Sequence, residues 1–122
     1  MIGYVTLGTN NLSRAAAFYD DLLGEFGARR LWEFDRGIAW GTAPDEPSLA
    51  IMTPFDGQPA TVGNGVMVGL QVSSRALVDK IHAKALKLGG SDEGPTGPRS
   101  EGFYVGYFRD PEGNKLCAYC AN

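Results

Sequence analysis

A chain of 122 residues with 43% hydrophobic and 20% charged side chains has the balance of an ordinary globular protein, which excludes disorder and predicts one domain with one shared core. Eleven basic against 14 acidic residues give a net charge of −3, and the basic residues are scattered, so no nucleic-acid partner is expected. No apolar run reaches the ~20 residues of a membrane span, and MIGYVTL lacks the basic flank and apolar stretch of a signal peptide; no membrane association is expected, and the cytoplasm is the expected compartment.

In chain order, residues 2–8 read as a strand, and Thr9, Asn10 and Asn11 supply a turn and a cap for a helix beginning near Leu12. Leu12, Ala15, Ala16, Tyr19, Leu22, Leu23 and Phe26 recur at helical spacing, and Gly24 and Gly27 close the element. Three short β-like runs follow, over residues 29–34, 37–41 and 48–53, separated by clusters of turn residues. The segment 54–65 carries Pro54, Gly57, Pro59, Gly63 and Gly65, a composition that breaks regular structure and suits a crossing between halves.

A second cycle then begins. Residues 66–72 read as a strand, Ser73 or Ser74 as a helix cap, and Leu77, Val78, Ile81, Ala85 and Leu88 as an apolar stripe ended by Gly89 and Gly90. Residues 102–108 and 114–120 read as two strands joined by Arg109-Asp110-Pro111-Glu112-Gly113. One strand of this half has no clear signal, and the Gly- and Pro-rich stretch 91–100 occupies its place, so a short or irregular strand is expected there. Cys117 and Cys120 leave opposite faces of the last strand, which makes a bridge between them implausible. Two apolar fillers are expected.

The order of events repeats: an ungapped pairing sets Tyr4-Val5-Thr6-Leu7 over Met67-Val68-Gly69-Leu70, and Leu49-Ala50-Ile51 over Lys115-Leu116-Cys117. The predicted architecture is α+β, with tandem βαβββ modules over about 1–55 and 65–122 inside one domain.

The segment Tyr107-Phe108-Arg109-Asp110-Pro111-Glu112-Gly113-Asn114-Lys115-Leu116, together with Tyr4-Val5-Thr6-Leu7-Gly8, Ala17-Phe18-Tyr19, Gly63-Asn64-Gly65 and Gly89-Gly90, resembles the glyoxalase/bleomycin resistance protein/dioxygenase (vicinal-oxygen-chelate) superfamily over nearly the whole chain. The resemblance implies sheets that curl into a half-open barrel around a cavity, often completed in a homodimer. It also implies metal ligands at four positions, usually His early in the first strand of each half and Glu in the fourth. On the pairing above these are Tyr4, Ile51, Met67 and Cys117, and none is a His or a carboxylate.

A catalytic divalent ion wants three or four converging N, O or S donors and an open position. Tyr, Ile, Met and Cys make a poor set, and the single histidine, His82, falls on a helix expected behind the sheet. No metal and no other cofactor is therefore expected. Strand alternation sends Tyr4, Thr6, Gly8, Met67, Gly69 and Gln71 to the concave side, and the same parity adds Trp40, Ile51, Thr53, Cys117 and Tyr119. Arg99, in a loop of prolines and glycines, is placed to offer a guanidinium to a carboxylate or phosphate. The expected ligand-binding set is Tyr4, Thr6, Trp40, Met67, Gln71, Arg99, Cys117 and Tyr119.

Three functions fit these residues. The leading one is a metal-independent binder of the bleomycin-resistance kind, holding a small, partly apolar or aromatic molecule. A second is an enzyme of the lactoylglutathione lyase or dioxygenase type with a non-standard site that uses Cys117, Tyr4 or Tyr119, and a third is a dimeric interaction module with a filled barrel. No Ser/His/Asp or Cys/His pairing and no phosphate-loop spacing is present to suggest another chemistry.

Overall fold

A computed structural model describes residues 1–121. The chain divides into two compact units, Met1–Val62 and Gly63–Asn122, each with the predicted βαβββ order. Asn122, the end of the predicted second module, lies outside the described residues.

The first module runs β1 (Tyr4–Gly8), α1 (Leu12–Gly24), β2 (Arg29–Phe34), β3 (Gly37–Gly41) and β4 (Ser48–Met52). Asn11 caps α1 by accepting the Arg14 amide at 3.0 Å, one of the donors that a helix start leaves unpaired. The sheet order is β1-β4-β3-β2, with β1 and β4 parallel and the other pairs antiparallel. Period-2 alternation sends Leu7, Leu49, Ile51, Ile38 and Trp40 to one face, where Ala15, Ala16, Phe18, Tyr19, Leu22 and Leu23 of α1 cover them. Each fully buried large side chain there contributes about 1.5–3 kcal/mol.

The second module runs β5 (Val68–Gln71), α2 (Arg75–Lys87), β6 (Ser91–Asp92), β7 (Gly97–Ser100), β8 (Phe103–Arg109) and β9 (Lys115–Cys120). Ser74 is the α2 cap and accepts the Leu77 amide. The order is β5-β9-β8-β6, with β7 also on β8. The strand without a sequence signal is thus two short pieces, and the register shift between Pro98 and Ser100 follows from Pro98, which cannot donate to the ladder. Val78, Ile81, His82 and Ala85 pack against Phe108, Leu116, Ala118 and Cys120.

Two local features hold this module in register. In the β8–β9 turn, Asp110 Oδ1 accepts the amides of Glu112, Gly113 and Asn114, each at 2.9 Å, and Gly113 adopts φ 104°, a value favouring glycine. After α2, a Cβ on Gly90 would stand 2.5 Å from the Arg109 carbonyl oxygen and 2.8 Å from that of Ala85, so only glycine lets the chain pass between helix end and sheet.

Candidate functional site

The uncovered face of the first module's sheet forms a cavity of about 870 Å³, within the range of small-molecule sites. Its floor is a row of residues opposite one another across three strands, Ala39, Ala50 and Thr6, which Trp32 of β2 continues to the rim. The two alanines are small, which leaves the volume. A second row, Phe34, Gly37, Met52 and Gly8, and the pair Tyr4 and Ser48 extend it.

Trp32 reaches this face through a β-bulge. Arg30 pairs with Trp40, and Trp32 pairs with Ala39, with a register shift between them. Strict alternation would put Arg30 and Trp32 on one face; the extra residue, Leu31, sends Arg30 toward α1 and turns Trp32 into the cavity. Arg30 then clasps Asp20 of α1 at 2.9 and 2.8 Å and reaches Glu33 at 2.9 Å.

The far wall is the segment after β4. Asn10 accepts the Ala60 amide at 2.6 Å and donates to the Ala60 carbonyl at 3.1 Å, which ties this segment to the β1–α1 turn. Arg36, in the β2–β3 turn, donates to the Thr53 carbonyl at 2.7 Å and lies over the Phe55 ring at 5.3 Å. The rim is aromatic and open to solvent: Tyr4 is 70% exposed, Trp32 43%, Phe34 58% and Phe55 90%. Arg36 and Asp56 are the charged side chains among the lining residues.

The structure divides the expected ligand-binding residues. Tyr4 and Thr6 line the first module's cavity. Trp40 does not: it is 1% exposed, stacks on Tyr19 and donates its indole N–H to Asp20 at 2.8 Å. Ile51 is likewise fully buried on the α1 side. The error lies in the pairing of the fourth strands. Thr6 is opposite Ala50 and Gly69 is opposite Cys117, so Ala50, and not Ile51, is the counterpart of Cys117, and a slip of one residue reverses every face. Trp32, Phe34, Arg36 and Phe55 are cavity residues that the sequence reading missed.

Met67, Gln71, Arg99, Cys117 and Tyr119 belong to the second module. Met67 precedes β5 and is 44% exposed; Gln71 is exposed. On that sheet Gly69, Cys117 and Tyr119 share a face, with a Gly69 Cβ position 3.5 Å from Cys117 Sγ and 3.3 Å from the Tyr119 ring. Tyr119 stacks on Phe103 at 5.2 Å. Burial pushes the Cys117 thiol up from its ordinary pKa, against the Leu70 backbone and Lys115, which act downward. Arg99 donates to the Pro95 carbonyl at 2.6 Å and lies over the Tyr107 ring. His82 is buried on α2, its Nε2 lying 3.1 Å from both Asp92 Oδ1 and the Tyr107 carbonyl.

As for a metal, the positions corrected by the observed register are Tyr4, Ala50, Met67 and Cys117. They offer a phenol, a thioether and a thiol whose proton is held by burial, without an imidazole or carboxylate. Among the described residues no three His, Cys, Asp or Glu side chains converge. This donor set does not fit a divalent ion.

Residues 1–118 match the family model of the Glyoxalase/Bleomycin resistance protein/Dioxygenase superfamily. A glyoxalase/bleomycin resistance protein from Albidiferax ferrireducens T118 is 38% identical, with 98% of this chain and 97% of that one covered at a TM-score of 0.89. A glyoxalase/bleomycin resistance protein/dioxygenase family enzyme from Burkholderia phytofirmans PsJN shares 15% identity over 98% of each chain, at a TM-score of 0.78. Lactoylglutathione lyase from Agrobacterium tumefaciens shares 21% identity over 98% of this chain and 92% of that one, at 0.71. These last two show a common fold. No curated protein matches the chain.

Proposed function

The chain belongs to the glyoxalase/bleomycin resistance protein/dioxygenase superfamily, and from that premise we propose that it is a metal-independent member that binds a small, partly aromatic molecule on the first module's sheet. The fold alone does not assign a chemistry, because this architecture hosts several. The observation that carries the reading is the make-up of the 870 Å³ cavity: a floor of Ala39, Ala50 and Thr6 under a rim of Tyr4, Trp32, Phe34 and Phe55. Large rigid rings over a shallow floor favour stacking on a planar ligand.

Calorimetric titration with 2-naphthol as a planar probe tests the proposal. Saturable binding is expected, unchanged after treatment with EDTA and weakened about tenfold in Trp32→Leu or Phe55→Ala, the equivalent of about 1.4 kcal/mol of lost contact. Binding that requires added metal, or rapid hemithioacetal isomerisation with added divalent ions, would overturn it.

A further inference from the structure

The face of the second module's sheet opposite α2 carries a charge arrangement that the proposed function does not use. Lys115 Nζ lies over the Tyr107 ring at 5.3 Å, and the guanidinium of Arg99 lies over the same ring at 5.7 Å. Three elements bring them there: Tyr107 is in β8, Lys115 begins β9, and Arg99 is in β7. Tyr107 is itself opposite Cys117 in the β8–β9 ladder, which places the ring on the face shared by Gly69, Cys117 and Tyr119.

Among the described residues no carboxylate pairs with either cation. The contrast with Arg109, two residues after Tyr107, is direct: Arg109 donates to Glu93 at 2.8 Å and to the Gly113 carbonyl at 2.9 Å. Arg99 is oriented by carbonyls of β7 and the segment before it, with Nη2 on Pro95 at 2.6 Å and Nη1 on Pro98 at 3.4 Å. Pro95 and Pro98 have restricted backbones, so the guanidinium is held in position without having its charge neutralised. Lys115 is half-buried, and an ammonium partly withdrawn from water gains from an aromatic face only a fraction of what an anion returns.

Two like charges held against one ring repel each other, and a bound anion relieves that repulsion. We propose that Arg99, Lys115 and Tyr107 form an anion-binding site on the second module, taking the carboxylate or phosphate group of a small molecule. The guanidinium supplies a planar fork of donors, the ammonium a point charge, and the tyrosine ring a platform that fixes both. The site rests on the second module alone and stands whether or not the first module's cavity binds an aromatic ligand.

The test uses probes that carry no ring and so have nothing to stack on the first module's aromatic rim. The full-length protein is titrated with sodium acetate and, separately, with inorganic phosphate at constant ionic strength, while the ring resonances of Tyr107 and the side-chain resonances of Lys115 are followed by NMR. Saturable shifts at both residues are expected, with acetamide producing none. Whichever of acetate and phosphate binds more tightly identifies the ligand's acid group. Lys115→Gln and Arg99→Gln should each weaken binding about tenfold, Lys115→Arg should retain it, and Trp32→Leu should leave it unchanged. Absence of saturable shifts with both anions, equal shifts with acetamide, or undiminished binding in the folded Arg99→Gln/Lys115→Gln double variant would overturn the proposal.

Discussion

The indole N–H of Trp40 ends on Asp20 Oδ1 at 2.8 Å, the carboxylate that Arg30 clasps from the neighbouring strand. This contact fixes which side of the first module's sheet faces α1 and therefore which side is left for a ligand. Trp40 belongs to the core, and Trp32, one strand away, belongs to the cavity.

Opposite mutational signatures follow for the two tryptophans. Trp40→Ala removes a side chain that is 1% exposed and is expected to cost about 3–5 kcal/mol, whereas Trp40→Phe, which keeps most of the volume and loses the hydrogen bond, should cost about 1–2 kcal/mol. Trp32→Ala, at a rim position 43% exposed, should change stability by less than about 1 kcal/mol and act on 2-naphthol binding instead. Urea unfolding monitored by circular dichroism, paired with calorimetry, separates the two effects.

The same carboxylate sets a pH dependence. The hydrogen bonds from Arg30 hold the Asp20 carboxyl below its usual 3.8, with burial acting in the opposite sense and Trp40 and the Arg30 charge adding to the lowering. A carboxyl whose pKa is lower folded than unfolded contributes stability that is present in full above the unfolded value and is lost as pH falls through the folded value. Wild-type stability should therefore drop below about pH 4, and Asp20→Asn should flatten that drop while lowering stability at pH 7. Because Asp20 is partly exposed, solvent screens the pair and the effect is modest. Urea midpoints at pH 7 and pH 3 provide the comparison.

Cys117 is 2% exposed, and burial, the largest influence on its thiol, pushes the pKa upward. The thiolate is the reactive species, so alkylation by iodoacetamide at pH 7.5 should run at least about tenfold slower than that of free cysteine. Cys120, 1% exposed on the α2 side, should be similarly protected, and both should react on unfolding in urea. Mass spectrometry of the labelled peptides gives the rates.

Much of the fold was legible because its signals are local. The helical spacing of Ala15, Tyr19 and Leu22, the Asn11 and Ser74 caps, and the Asp110–Gly113 turn each act within a few residues, and each predicted element is present. The orientation of Tyr4 and Thr6 also followed from alternation. The rest of the cavity was hidden because two non-local facts decide it. The bulge at Leu31 reverses the face of Trp32, and the β1–β4 register makes Ala50 the floor residue where the sequence pairing pointed to Ile51. Phe55 and Arg36 come together through hydrogen bonds between Arg36 and Thr53 in separate segments, and no periodicity announces such a contact. The split strand of the second module was signalled only by Pro95 and Pro98, which mark where a ladder is interrupted without showing where it resumes.

The proposed binding of a planar ligand at the aromatic-rimmed cavity requires no divalent ion. Elemental analysis of protein purified without chelator tests it most directly. Zn, Ni, Mn and Fe are expected far below one equivalent per chain; one tightly held equivalent of any of them would overturn the proposal.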